Sequence, residues 1–132
     1  MPTEITPLLM FDGRAEGAID FYVSLFDNSS VGEVRRYGPH GPGAEGSVMH
    51  ATFSLAGRPY MAIDSSTRHD FSFTPATSQF VRCEDEAEIE RLFAALTDGG
   101  TVFMPLGNYG FSRMFGWGAD RFGVSWQLTL PS

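Results

Sequence analysis

The chain has 132 residues, 42% of them hydrophobic and 19% charged, which suits a soluble globular domain able to bury most of its apolar surface. A net charge of −7 speaks against a nucleic-acid partner, because phosphate-tracking surfaces concentrate Lys and Arg. The single cysteine, Cys83, excludes an internal disulfide framework, and the lack of a long apolar run or a charged-then-apolar leader points to a cytoplasmic protein with no membrane partner.

Taken in chain order, Ile5 to Phe11 reads as a mostly apolar strand, broken by Asp12-Gly13. Ala15 to Phe26 is helical, with Ala18, Ile19, Phe21, Tyr22 and Leu25 on one face. Val31 to Tyr37 is a strand. The Gly/Pro-rich stretch from Gly38 to Gly46 cannot hold regular structure and is expected to be a mobile loop. Ser47 to Leu55 and Arg58 to Ser65 form a hairpin turning at Ala56-Gly57, and Ser66 to Pro75 is a linker. Ser78 to Cys83 is the next strand. The helix after it starts among Glu84, Asp85, Glu86 and Glu88, where the macrodipole favours carboxylates. It buries Ile89, Leu92, Phe93 and Leu96 and stops at Gly99-Gly100. Thr101 to Leu106, Phe111 to Trp117 and Val124 to Leu130 are the remaining strands.

The second half therefore repeats the first. Aligned without a gap, Thr6 meets Thr77, Leu25 meets Leu96, Asp27 meets Asp98 and Val31 meets Val102. Each half is a strand, a helix and three strands, too small to bury its own sheet face. The fold expected is α+β, two βαβββ modules (about residues 1–66 and 75–132) pairing into a curved mixed sheet with a central cup, as a single domain.

Paired βαβββ units with a closing Asp-x-x-Gly-x-x-Trp-x-Leu passage, here Asp120 to Leu128, resemble the vicinal oxygen chelate superfamily. The opening passage from Phe11 to Tyr22, together with Phe73-Thr74-Pro75-Ala76, is similar to its PhnB-like branch, which often bears the label 3-demethylubiquinone-9 3-methyltransferase-like. The resemblance implies a cup whose first and last strands supply His, Glu or Gln to a divalent metal acting as a Lewis acid, and it implies a homodimer. Carried onto this chain, the first-strand positions fall at Thr6 or Pro7 and at Ser78 or Gln79, and the last-strand positions at Met61 and Gln127. None is His, Asp or Glu. Methionine is a soft ligand, poorly matched to the metals of this chemistry, so no metal and no cofactor are expected.

Other residues could furnish the cup. A two-residue turn at Ala56-Gly57 sets Thr52 opposite Met61 and puts His50, Thr52, Met61 and Ile63 on one face, with Phe53 and Tyr60 on the other. His50 is then a polar or acid–base candidate, or simply a hydrogen-bonded sheet histidine. Gln127 shares a face with Ser125 and Thr129. Tyr109, Phe111, Met114, Phe115 and Trp117, set among glycines, could stack on a planar ligand or pack as core. Arg113 is an anchor for an anionic substrate, or a solvated side chain. Cys83, beside an acidic run, reads as a small buried hydrophobe, and His40 and His69 take no role.

The function expected is a PhnB-like, glyoxalase-fold protein that binds a small apolar or planar molecule in its cup without a catalytic metal. The alternative is a divergent metal-assisted isomerase, lyase or dioxygenase-type enzyme. Methyl transfer fits poorly, since a methyl-donor site of the Rossmann kind asks for a Gly-rich strand-to-helix turn and Asp12-Gly13-Arg14 matches it weakly.

Overall fold

The computed structural model describes residues 2–132. Ten elements run in the order β1 (Leu8–Phe11), α1 (Ala15–Leu25), β2 (Ser30–Arg36), β3 (Val48–Leu55), β4 (Arg58–Asp64), β5 (Ser78–Arg82), α2 (Glu86–Thr97), β6 (Thr101–Gly107), β7 (Met114–Ala119) and β8 (Ser125–Leu130). The chain divides into two units, Met1–Asp70 and Phe71–Ser132, and the division falls inside the expected linker. Each unit is βαβββ, which gives the α+β glyoxalase-like fold with two modules.

The first unit holds a four-stranded sheet in the order β1-β4-β3-β2, and the second repeats it as β5-β8-β7-β6. In each, the first strand lies parallel to the last while the other neighbours are antiparallel. One helix packs on one face of each sheet. Helix α1 buries Ala15, Ala18, Ile19 and Tyr22; Phe21 and Leu25, expected on the same face, are half-buried at its margin. Helix α2 buries the four residues its pattern predicts, Ile89, Leu92, Phe93 and Leu96.

Period-two alternation sorts every strand into a helix side and an open side. In β3, Ala51, Phe53 and Leu55 are buried toward the helix. A bulge in the β2–β3 ladder leaves Met49 unpaired between His50 and Val48, so Val48 turns into the core while Met49 is exposed. In β7 the helix-side positions are Gly116 and Gly118. A Cβ there would stand 2.7 Å from Phe93 Cε1 and 2.7 Å from Thr97 Cγ2 respectively, so α2 lies closer to its sheet than any larger residue would permit.

Strand β7 begins at Met114, three residues later than its sequence pattern predicts. Gly110, with φ +101°, takes the chain through a backbone conformation closed to ordinary side chains. Tyr109 and Phe111 therefore sit in a loop. The stretch from Gly38 to Gly46 holds no regular structure, as expected, but it folds back on itself. Tyr37 and Gly46 are joined by a backbone bond of 2.9 Å, and Gly43 lies against the Tyr37 ring where a Cβ would clash.

The repeat is not gapless. Sheet register sets Leu8 beside Met61 and Phe80 beside Gln127, which makes Leu8 and Phe80 equivalent rather than Leu9 and Phe80. Burial agrees: Leu9 and Phe11 face the helix, as do Val81 and Cys83, whereas Phe80 is exposed. The first unit carries one more residue between its strand and helix.

Two buried carboxylates hold the ends of the elements together. Asp64 Oδ1 accepts from Gly13 N and Ala15 N, and Oδ2 from Val48 N, all at 2.9 Å. It caps α1 from a distance; Arg14, at the N-cap position, makes no side-chain cap. Asp120 accepts from Phe122 N, Val124 N and the Trp126 indole Nε1. Helix α2 is capped locally: Asp85 Oδ1 accepts from Glu88 N, and Glu88 Oε1 from Glu84 N, both at 2.8 Å, a variant of the capping box.

The β3–β4 hairpin turns at Ala56 (φ +51°) and Gly57 (φ +80°), the signs of a type I′ turn. Alanine is a poor residue for the first position, because its Cβ costs about 1 kcal/mol in the left-handed region. Ala56→Asn is expected to raise the melting temperature by roughly 3–5 °C in a thermal scan; an unchanged or lower value would mean the turn stores no such strain.

Candidate functional site

The open faces carry the chemistry, and the registers define them. In the first unit β1 presents Leu8 and Met10, β4 presents Met61 and Ile63, and β3 presents Ser54, Thr52 and His50. Thr52 stands opposite Met61, as the two-residue turn required. His50 Nε2 lies 3.2 Å from Met61 Sδ, both half-buried. Across the sheet the Phe53 and Tyr60 rings stack at 5.3 Å, and burial raises the Tyr60 hydroxyl above the ordinary tyrosine pKa. On β2, Arg35 Nε pairs with Glu33 Oε1 at 2.6 Å beside this face. That bond, aided by the Arg35 charge, lowers the Glu33 carboxyl, with His50 a minor contributor.

The second unit's open face is a grid of three rows across β5, β8 and β7. Ser78, Ser125 and Ala119 form the first row; Phe80, Gln127 and Trp117 the second; Arg82, Thr129 and Phe115 the third. Phe80 is 59% exposed, Trp117 and Gln127 are half-buried and Arg82 is exposed. The polar groups form a chain. Trp117 Nε1 donates to Ser125 Oγ at 2.9 Å, Ser125 Oγ and Ser78 Oγ share a bond of 2.6 Å, and Gln127 Nε2 donates to Ser78 Oγ at 3.3 Å. The indole is held from its other side by Phe103, ring centroids 5.0 Å apart. At the end of the third row Phe115 forms an aromatic cluster with Tyr109 and Phe111 of the preceding loop, Phe111 standing edge-on to it at 4.9 Å.

The structure thus places His50 and Met61 together, and Gln127 and Trp117 together. Tyr109 lies in the neighbouring loop, 41% exposed. Arg113 is exposed just before β7, its backbone N donating to Leu130 O. Gln79 does not join them: it pairs with Trp126 in the β5–β8 register, on the helix side, and Ser78 occupies the open side instead. Phe80 is absent from the candidates read from sequence, and Ser78 and Ser125 enter only as a first-strand alternative and as a face-mate of Gln127, because β5 meets β8 by a parallel pairing across 47 residues of chain, which no turn motif announces. In the first unit Thr6 precedes β1, and Pro7 O accepts from Met61 N at 2.9 Å.

Cys83 is buried. Burial, with Glu88 next in weight, pushes its thiol up to about 12, so the thiolate is suppressed and nucleophilic chemistry has no support there. A group whose folded-state pKa is raised adds stability below its unfolded value, about 8.5 for cysteine, and loses it as pH climbs toward 12. The urea midpoint is expected to fall between pH 9 and 11, and Cys83→Ala to flatten that fall. An identical slope in the variant would contradict the assignment.

The metal implied by resemblance can be tested against these positions. The resemblance assigns ligands to Thr6 or Pro7 and Met61 in the first unit and to Ser78 or Gln79 and Gln127 in the second, while the strand registers set Leu8 beside Met61 and Phe80 beside Gln127, so neither placement brings in His, Asp or Glu. A hydrocarbon, a thioether, a benzyl group and a neutral amide do not fit a hard or borderline divalent ion. Among the described residues no three His, Cys, Asp or Glu side chains are grouped to hold one.

A family model described as 3-demethylubiquinone-9 3-methyltransferase matches residues 3–129. The chain belongs to this family. A PhnB protein from Bacillus cereus that bears the same methyltransferase description superposes with a TM-score of 0.95 at 54% identity, covering 97% of this chain and 99% of that one. Protein PA1353 from Pseudomonas aeruginosa gives 0.85 at 30% identity, with 98% of each chain covered. An uncharacterised protein of Mycobacterium bovis is 32% identical over 96% of this chain and 82% of its own length. A fosfomycin resistance protein from Listeria monocytogenes, in complex with Mn(II), has a TM-score of 0.64 at 9% identity over 98% of this chain and 93% of its own, which shows the shared fold. A glyoxylase/bleomycin resistance protein/dioxygenase domain from Frankia sp. likewise shares the fold, with a TM-score of 0.63 at 12% identity. The two βαβββ units of this chain give the methyltransferase description no support. No helix among the described residues is long and apolar enough to cross a membrane.

Proposed function

We propose that this PhnB-like protein binds a small, planar, largely apolar molecule on an open sheet face, without a catalytic metal. The observation that carries the reading is the row Phe80–Gln127–Trp117, where a neutral amide stands between two aromatic side chains at the position from which a ligand carboxylate would come. Adjacent strands lie about 4.8 Å apart, so the two aromatic positions flank a space of about 10 Å, wide enough for one flat ring to contact both. Trp117 is fixed by Ser125 and Phe103 before any ligand arrives, which lowers the entropic cost of binding. A homodimer and a cytoplasmic location belong to the same reading and rest on the resemblance and composition.

Titration with 2-methylnaphthalene, followed by tryptophan fluorescence, tests it. Saturable quenching is expected, lost in Trp117→Ala and kept in Trp126→Phe if that variant folds. Retained quenching in Trp117→Ala, or no saturable signal, would refute the site.

A further inference from the structure

Resting on the reading above, we infer that the Phe80–Gln127–Trp117 row selects a planar ligand bearing a neutral carboxamide-like group, one that offers a carbonyl acceptor and an N–H donor side by side. Counting protons along the polar chain leads there. The Trp117 indole spends its one N–H on Ser125, and Gln127 spends one of its two amide hydrogens on Ser78. The two serines share a single bond, so whichever hydroxyl donates, the other keeps a proton that takes no acceptor among the four side chains of this network. Gln127 is left with its second N–H and its Oε1.

The unspent groups are thus donors and an acceptor, none of them charged, set between aromatic walls. A carboxylate would meet the Gln127 oxygen with repulsion on one side. A hydrocarbon would leave a half-buried amide and hydroxyl desolvated without partners, which is where polar sites discriminate most. An amide satisfies both edges at once. Arg82, exposed two positions beyond Phe80 on the same face of β5, supplies the competing possibility of an anionic ligand.

The test compares three probes built on one ring: 2-naphthamide, 2-naphthoate and 2-methylnaphthalene, titrated calorimetrically and by Trp117 fluorescence. The amide is expected to bind about tenfold or more tighter than either other probe, two extra hydrogen bonds of ordinary net strength. Gln127→Leu should bring the amide to within about twofold of 2-methylnaphthalene, whose own binding should tighten because no amide is then left desolvated. Ser78→Ala, a smaller change, should erode the preference in the same direction. Equal binding of the three probes, or naphthoate binding tightest and losing that lead in Arg82→Gln, would overturn the inference while keeping the aromatic site. Failure of all three to bind would refute the underlying reading itself.

Discussion

Asp120→Ala is expected to lower unfolding stability by about 3–5 kcal/mol, because hydrogen bonds to a charged acceptor are worth about 1.5–3 kcal/mol each and three are lost. The carboxylate is 3% exposed and holds three donors from one short passage: Phe122 N at 2.8 Å, Val124 N at 3.1 Å and Trp126 Nε1 at 2.8 Å. Alanine would leave these donors without that acceptor where water cannot readily replace it, and each unsatisfied buried group costs roughly 1–3 kcal/mol. Asp120→Asn should be milder but still harmful. Its oxygen can keep the two backbone bonds, but its NH₂ then faces the Trp126 N–H, donor against donor. A double-mutant cycle with Trp126→Phe should therefore be less than additive. Urea unfolding measures the two Asp120 variants, Trp126→Phe and the double variant, and an Asp120→Ala unfolding free energy within about 1 kcal/mol of the parent would show that the network does not hold the turn.

Gly100→Ala is expected to be as severe. An added Cβ would stand 2.0 Å from Ala119 O and 2.8 Å from Asp120 C. All of the obstructing atoms are backbone, so no side-chain rotation relieves the clash, and β6 must draw away from β7 where Thr101 pairs with Ala119. The cost lies at or above the top of the overpacking range, about 3 kcal/mol, or a melting temperature lower by roughly 10 °C. Its neighbour separates the causes. Gly99 has φ +76° with only Arg121 side-chain atoms nearby, so Gly99→Ala should lose about 1–2 kcal/mol from backbone strain alone. Gly38→Ala, with nothing within 4 Å, should be close to neutral. If Gly99→Ala proved the more damaging of the pair, the close approach would not be what fixes glycine at position 100.

Much of this architecture was legible in the residues. The Ile89, Leu92, Phe93, Leu96 stripe gave α2 its buried face, and Ala56-Gly57 fixed the β3–β4 register closely enough to put His50 and Met61 together. What escaped shares a physical cause. Parallel pairing of β5 with β8 joins segments with no connecting turn, so one-residue precision there depends on packing. The Ser78–Ser125 bond and the placement of Gln79 on the helix side followed only from coordinates. A gapless repeat hid the extra residue before α1 because the helices kept their stripe across it. Asp64 carries no motif that marks its role, and for Asp120 the turn passage Asp120-Arg121-Phe122-Gly123 was the available hint of its backbone bonds.

We propose that the last-strand positions Met61 and Gln127, where the resemblance puts metal ligands, and their register partners Leu8 and Phe80 hold no side chain fit for a hard cation. Calorimetric titration of the metal-stripped protein with Mn(II) and Ni(II) tests it most directly. The account predicts no stoichiometric binding tighter than about millimolar for either ion, an affinity near −4 kcal/mol. Micromolar binding at one ion per chain, abolished by Gln127→Leu or by Met61→Leu with His50→Ala, would contradict it.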